Sequence, residues 1–302
     1  MGAACMVVAP SLIPKQAGNR VKTDRRDAQR LAELLRAGEL TSVWVPGEED
    51  EALRDLVRAR EDAKEDLLRS KHRLRKLLLR HGIQEPVGVR AWSAKYRVWL
   101  KGLKFEFSAL QTTFDEYRLN IEEIESRIGR LESEIHTEAE ESKHAPVIKA
   151  IQAFRGVQEI AAATMVAEVG SFLRFGKASQ VMAYSGAVPS KYSSGAEVRR
   201  GKITKTGNSH LRSIAIECAW SYRYPATMSA AIKKRQEGLP ASVQAIAWKA
   251  QIRLHKKYRH LILDKRKSAQ VAITAVAREL LGFIWAAACE VERPRLWQAS
   301  AA

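Results

Sequence analysis

The segment from Phe114 to Ile135 reads FDEYRLNIEEIESRIGRLESEI, and its spacing sets the fold class of the middle of the chain. Apolar side chains recur at alternating intervals of three and four residues, which is the spacing of a coiled-coil helix. Three arrangements fit a helix of this kind: a hairpin with the preceding helix, pairing with a second subunit, or packing inside one bundle. The apolar positions are Phe114, Tyr117, Ile121, Ile124, Ile128, Leu131 and Ile135.

Helical patterns continue on both sides of this segment. A basic helix is predicted over Glu51–Arg80, ending at Gly82, and the residues of Ile83–Phe107 are predicted to be irregular. Further along, a helix, a turn at Gly156 and a second helix are predicted within Ile148–Val169. The remaining predicted helices are Ile214–Ala230, Ala241–His260 and Ala269–Cys289.

The first residues follow a different pattern. Short apolar runs at Cys5–Ala9 and Val43–Val45 predict two strands, and a helix is predicted from Thr23 or Asp24 to Gly38. We therefore predict a mainly α chain with a small α/β region at its start. The predicted domains are residues 1–48, a helical coiled-coil region over 49–144, and a mostly helical domain over 145–302.

Charge and cysteine content limit the classes of function. The chain has 302 residues, a net charge of +17 and a pI near 9.9, so nucleic acid is the expected partner rather than a membrane. A merely soluble basic protein is the alternative. Three scattered cysteines without a CxxC pair predict neither a zinc site nor a disulfide framework, and they favour a reducing, cytoplasmic location.

The segment Ser185–Arg212, SGAVPSKYSSGAEVRRGKITKTGNSHLR, combines hydroxyls, glycines and cations with few large apolar residues. This mixture suits a site that brings a serine oxygen against a phosphodiester, because glycines permit close approach and cations neutralise phosphate. Ser193 and Ser194 are the candidate nucleophiles; a basic loop that only grips phosphate is the alternative. The cations expected to bind nucleic acid here are Arg199, Arg200, Lys202, Lys205 and Arg212.

Two further features carry candidate sites. Asp24 and Asp27 share one helix face and can hold Mg²⁺; alternatively, Asp24 caps the helix and Asp27 lies in its first turn. The basic end of the first long helix is expected to bind nucleic acid through Arg73, Arg75 and Lys76.

The residues around Gly156 resemble a helix–hairpin–helix, in which a glycine turn points backbone N–H groups at a DNA phosphate. Gln158 replaces the second glycine of that motif, which weakens the expected anion site. An ordinary helical hairpin with Gly156 as a C-cap is the alternative.

Taken together, short motifs in family order resemble the DEDD insertion-sequence transposases, recombinases guided by a bridge RNA. The resemblance covers nearly the whole chain, and its specificity lies in the joint occurrence of motifs that are individually weak. These motifs are VVAPSLIP (Val7–Pro14), RVKTDRRDA (Arg20–Ala28), YSGAVP (Tyr184–Pro189), SSG (Ser193–Gly195), GKITKTGN (Gly201–Asn208) and VAREL (Val276–Leu280).

The resemblance implies a RuvC-like, ribonuclease-H-like domain, of which residues 1–48 are the C-terminal remnant, then a coiled coil and a C-terminal transposase domain with the serine. By motif position, Asp24 and Asp27 resemble the last two acids of the DEDD set. Ser194 resembles the catalytic serine, with Ser193 as second choice. The implied cofactor is Mg²⁺, and the implied partners are donor and target DNA, a structured guide RNA and sister subunits in a dimer or tetramer.

The chain departs from the family pattern at its start. The first Asp and the Glu of the DEDD set, expected on earlier strands, have no counterpart in this sequence. The sequence-based expectation is therefore an N-terminally truncated copy with impaired strand transfer. Its alternatives are a non-catalytic nucleic-acid-binding remnant and a RuvC-like nuclease that uses metal only, with the serines merely binding phosphate.

Overall fold

The computed structural model describes residues 5–14, 23–194 and 197–300, without the side chains of residues 11, 193, 194, 197–200 and 294–300. Parts of two motifs, including Lys22 and Gly195, therefore lie outside the described residues. The chain divides into two compact units, Met1–Glu51 and Ala52–Ala302. The three-domain division made from the sequence stays a prediction.

The described residues are mainly helical, which confirms the predicted α class; their one sheet is a two-stranded antiparallel hairpin. The hairpin strands are β1 (Pro189–Ser194) and β2 (Glu197–Ile203). The helices are α1 (Asp24–Arg36), α2 (Glu48–Arg80), α3 (Ala94–Gly102), α4 (Ser108–Glu141), α5 (Ala145–Ile151), α6 (Glu159–Val169), α7 (Ala178–Tyr184), α8 (Ser209–Ala219), α9 (Ala230–Gln236), α10 (Ala241–Arg259) and α11 (Ala269–Ser300).

The first unit contains the predicted helix but not the predicted strands. Helix α1 starts after Thr23, whose hydroxyl accepts from the Arg26 N–H at 3.4 Å, and the chain turns at Gly38 with a φ of +69°. The runs Cys5–Ala9 and Val43–Val45 are not strands. Among the described residues, a single backbone hydrogen bond of 2.9 Å joins them, and a strand needs a ladder of such bonds.

Helices α2 and α4 lie antiparallel within the chain, as the first arrangement expects, and α4 also packs against α5 and α6, as packing inside a bundle expects. Leu53 and Val57 at the start of α2 share one core with Ile135 near the end of α4. At the opposite end, Leu74 shares a second core with Phe114. Pairing with a second subunit stays a prediction.

Helix α3 lies in the region predicted to be irregular, so that prediction is wrong. Its N-cap is Ser93, whose hydroxyl accepts from the Tyr96 N–H at 3.3 Å. Tyr96 is fully buried between Trp92 and Trp99, with ring centroids 5.4 and 5.1 Å away. Burial of these aromatic rings stabilises a helix that has little amphipathic pattern of its own.

The core of the C-terminal part is built around α11, which packs against α5, α7, α8 and α10. The stretch Ala269–Arg293 is long and apolar enough to cross a membrane, but Ile273, Leu280 and Ile284 are fully buried in this core. This burial accounts for its apolar composition.

The helix predicted over Ile214–Ala230 differs from the observed α8 at both ends. Asn208 caps α8 by accepting from the Leu211 N–H at 2.8 Å, so the helix starts five residues earlier. The helix ends at Ala219 and a short 3₁₀ turn follows before Pro225, which cannot continue a helix.

Candidate functional site

The two candidate serines lie at the turn end of a β-hairpin. The register pairs Ser193 with Val198 and Ser194 with Glu197, so the two serines end β1 where it pairs with the start of β2. In the same register Arg199 is opposite Tyr192, and Arg200 is opposite Lys191. The sequence predicted a basic, serine-bearing segment here; the backbone arranges it as a ribbon.

Two glycines with positive φ close the base of this hairpin. Gly186 has a φ of +65° and its carbonyl accepts from the Lys205 N–H at 3.0 Å. Gly207 has a φ of +116°, and the next N–H, that of Asn208, donates to the Tyr184 carbonyl at 2.8 Å. A Cβ atom on Gly207 would collide with the same carbonyl oxygen. Glycine is required at both positions.

The predicted cations of the segment have different environments. The Arg212 guanidinium donates to the Ser185 carbonyl at 2.8 Å and to the Lys205 carbonyl at 3.4 Å, so it ties the two sides of the hairpin base together. Lys202 and Lys205 are exposed. The side chains of Arg199 and Arg200 lie outside the described residues.

A buried carboxylate lies beneath the hairpin base. The Glu168 side chain is fully buried and accepts two hydrogen bonds from Arg58, at 2.8 and 2.9 Å, and one from Asn208 at 2.5 Å. The Tyr184 hydroxyl donates to the Glu168 carbonyl at 3.1 Å. Burial alone would raise the pKa of this carboxyl, but the hydrogen bonds from Arg58 and Asn208 outweigh burial and lower the pKa below its ordinary value.

Helix α2 supplies two further contacts to this region. Arg54 donates to the Ala167 carbonyl at 3.1 Å, and Glu61 lies 2.5 Å from His210 Nδ1. His210, which lies in the first turn of α8, is thus paired with the Glu61 carboxylate of α2. Sequence reasoning missed Glu168; its signal was one acid inside the apolar run of α6.

The two candidate metal ligands stand in the first turn of α1. Asp24 and Asp27 are both exposed, and Thr23 is the N-cap, so the idea that Asp24 caps the helix is wrong. No group of three or more metal-ligating side chains occurs among the described residues. Two carboxylates on one helix face would leave most of the octahedral shell of Mg²⁺ to water or to a substrate phosphate.

The three predicted cations of α2 differ in whether they have a carboxylate partner. Arg73 and Lys76 are exposed, whereas Arg75 makes a bidentate pair with Glu85 at 2.6 and 2.9 Å. Tyr96 donates to the same carboxylate at 2.9 Å. Arg75 therefore belongs to the packing around α3.

The turn between α5 and α6 fits the ordinary helical-hairpin alternative in its packing. Gly156 has a φ of +80°, and a Cβ there would collide with the Ser221 side chain and the Cys218 carbonyl. Close packing against the end of α8 thus accounts for the glycine without a bound phosphate. Gly156 is not the C-cap of α5, because Gln152 holds that position.

Comparison with known proteins identifies the family of this chain. A family model described as "Transposase IS116/IS110/IS902 family" matches residues 148–233, and a model of the IS110 DEDD transposase matches residues 2–83. The putative transposase y4qE of Sinorhizobium fredii is 45% identical over 293 residues, which are 97% of this chain and 71% of that protein. The transposase of insertion sequence element IS1533 from Leptospira borgpetersenii is 34% identical over 269 residues, covering 88% and 78%.

These matches define the class of protein: the chain is a DNA transposase. It belongs to the IS110/IS116 family of insertion-sequence transposases, with a DEDD domain and a transposase domain. The family resemblance stated from the sequence is confirmed at this level, and the DEDD domain implies a dependence on divalent metal.

Proposed function

We propose that this transposase cuts and rejoins DNA strands with Ser194 as the nucleophile and Ser193 as the second candidate. The observation that carries the proposal is the strand register, in which both serines end β1 and pair with the first residues of the cation-rich β2. The same register places Arg199 and Arg200 on the strand that pairs with the serines, so the backbone brings hydroxyl-bearing and cationic residues together.

The proposed reaction is a transesterification. The serine oxygen forms a bond to the scissile phosphorus, the bond from phosphorus to one deoxyribose oxygen breaks, and the serine proton passes to that leaving oxygen or to water. The phosphoserine linkage conserves the energy of the broken bond for rejoining. Arg199, Arg200, Lys202 and Lys205 on or beside β2 supply positive charge for the transition state in this proposal.

The remaining parts of the proposal come from the family resemblance. Residues 1–48 belong to a RuvC-like fold, 49–144 to a helical coiled-coil region and 145–302 to the transposase domain. Mg²⁺ is the divalent ion, with Asp24 and Asp27 as two of its ligands. A structured guide RNA selects donor and target DNA, and a dimer or tetramer of this chain acts in the cytoplasm.

Covalent trapping tests the nucleophile. The protein is incubated with Mg²⁺, host total RNA and duplex DNA of the element end, and a denaturing gel reports any DNA–protein adduct. We expect an adduct that Ser194→Ala abolishes and the matched control Ser190→Ala retains. Metal-dependent cleavage that persists in both Ser193→Ala and Ser194→Ala would overturn the serine mechanism and favour a metal-only nuclease.

A non-catalytic nucleic-acid-binding protein is the second candidate, because the described residues offer two exposed carboxylates and no third metal ligand beside them. Salt-sensitive DNA binding without any adduct would favour this candidate.

A further inference from the structure

A dense positive cluster lies at the C-terminal end of α10 and in the turn that follows it. Residues 249–267 contain eight lysines and arginines and a single acid, Asp264, so this stretch carries +7 of the chain's net +17. None of these residues belongs to the serine segment or to the basic end of α2. The cations of this α10 cluster are Lys249, Arg253, Lys256, Lys257, Arg259, Lys265, Arg266 and Lys267.

Most of the α10 cluster has no carboxylate partner. Glu279 of α11 accepts from Arg253 and Lys257, and Asp264 lies 2.6 Å from His260 Nδ1. The other six cations are exposed and make no ion pair within the described part of the chain. Exposed like charges repel one another, so six neighbours without acids are poorly explained by folding stability.

The backbone at the end of α10 holds these cations together. A π-helical turn, His260–Asp264, follows α10, and the Lys267 N–H then donates back to the Leu261 carbonyl at 2.9 Å. Arg266 has a φ of +47°, a conformation uncommon outside glycine. The helix dipole favours cations only in the last turn of α10, which leaves Lys249 and the residues after Asp264 unexplained.

Apolar surface and a groove lie beside the charges. Trp248 and Ile252 on the outer face of α10 are 38% and 50% exposed. Arg253 and Lys257 also line an open groove of about 500 Å³ between α7, α10 and α11, together with Arg278 and the rings of Phe283 and Trp285. Six exposed cations without acid partners suit the closely spaced phosphates of a sugar–phosphate chain.

We propose that the α10 cluster binds the sugar–phosphate backbone of double-stranded DNA, as a contact additional to the serine hairpin. The inference rests on the proposed DNA transesterification for its choice of DNA over other polyanions. From Lys249 to Arg259 the helix spans about 15 Å. One strand of duplex DNA presents a phosphate about every 3.4 Å, so this face matches roughly four phosphates.

A matched pair of triple variants tests the inference. Lys256→Gln, Lys265→Gln and Lys267→Gln remove three cations of the cluster, whereas Lys64→Gln, Lys233→Gln and Lys234→Gln remove three exposed lysines elsewhere. Affinity for a 30-base-pair duplex of unrelated sequence is measured from 50 to 300 mM salt. Circular dichroism and thermal melting of each variant verify that all of them fold.

We expect the cluster variant to bind the duplex about 10- to 100-fold more weakly at 0.1 M salt, with a log–log salt slope reduced by about 2 to 3. The control should stay within about 3-fold of the unchanged protein. Equal affinities and slopes for the two triple variants would overturn the inference while leaving the proposed serine chemistry standing. A loss confined to a structured RNA of similar length would overturn it in favour of RNA.

The two proposals fail in different ways. An unchanged protein that binds no duplex overturns the cluster inference and the DNA transesterification together. A protein that binds duplex through the cluster but forms no Ser194-dependent adduct overturns only the serine mechanism. Lys256→Glu, Lys265→Glu and Lys267→Glu provide a stronger version of the same variant if Gln leaves a residual slope.

Discussion

The base of the serine hairpin and the α10 cluster are both rich in cations, yet they use them differently. At the hairpin base, Arg58 is held by Glu168, and Arg212 by two carbonyl oxygens. In the α10 cluster, Lys256 and Lys267 are exposed and make no ion pair within the described residues. The 51 lysines and arginines therefore include side chains that are not available to a ligand, because they already satisfy acceptors within the fold.

The largest expected effect comes from breaking the pair beneath the hairpin. Arg58→Ala leaves the Glu168 carboxylate buried without its main partner, and we expect a loss of about 2 to 4 kcal/mol in the free energy of unfolding. The loss stays below that of a wholly buried pair because 41% of the Arg58 side chain is exposed. Urea unfolding measures it.

The matched control for this variant is Arg73→Ala, an exposed position on the same helix, which should cost less than about 0.5 kcal/mol. Equal losses for the two variants would show that the Arg58–Glu168 pair adds nothing to the free energy of unfolding beyond what an exposed arginine does. Adding Glu168→Gln to Arg58→Ala completes a double-mutant cycle, and we expect a coupling energy of about 1 kcal/mol or more.

The second effect concerns the turn at the hairpin base. Gly207→Ala introduces a Cβ that collides with the Tyr184 carbonyl at a φ of +116°, and we expect destabilisation by about 1 to 3 kcal/mol. Gly38→Ala is the control, since Gly38 also has a positive φ but has no atom within 4 Å of the added Cβ. Thermal melting should rank Gly207→Ala as the more destabilised variant; the reverse order would contradict the described base.

The third effect is a dependence of stability on pH. The pKa of Glu168 is lowered in the folded protein, so ionised Glu168 stabilises the fold at neutral pH, and this contribution is lost as the pH falls below its ordinary value of 4.5. Urea midpoints should therefore decrease between about pH 5 and about pH 3, with little contribution from Glu168 to any change above that range. Glu168→Gln should show a shallower decrease, and an identical decrease in this variant would argue against the assignment.

The smallest effect separates two neighbouring cations of α2. Lys76→Gln should reduce the salt slope of DNA binding by about 0.9, the contribution of one phosphate contact. Arg75→Gln should leave this slope unchanged and lower stability instead, because Arg75 is paired with Glu85. Measuring salt slope and urea midpoint for both variants checks the contrast; a reduced slope for Arg75→Gln would mean that this pair opens on DNA.

Much of the helical framework could be predicted from the sequence, because each long helix has a clear local signal. The spacing from Phe114 to Ile135 predicted α4, and α2 ends beside Gly82, which has a φ of +71°. The hairpin β1–β2 escaped prediction because its strands alternate little between apolar and polar residues. Its base depends on contacts with Tyr184 and Asn208 that sequence spacing does not reveal.

The predicted site was harder to derive, since pairing between distant residues decides which charges remain available. Glu168 and Arg58 are 110 residues apart, and nothing local to either position predicts their contact. The prediction of strands at Cys5–Ala9 and Val43–Val45 was wrong for a related reason. A strand depends on neighbours for its hydrogen bonds, so an apolar run by itself does not establish one.

Helix α2 also fixes the distance between the residues beneath the hairpin base and the basic end of the helix. Its unbroken backbone carries Arg58, which holds the hairpin base, and Lys76, which is exposed near the far end. Eighteen residues of helix separate them, a fixed distance of about 27 Å. This spacing corresponds to roughly eight base pairs of duplex DNA at about 3.4 Å each. Inserting one heptad into α2 would increase the distance between Arg58 and Lys76 by about 10 Å, or about three base pairs. The two side chains would stay on nearly the same faces of the helix.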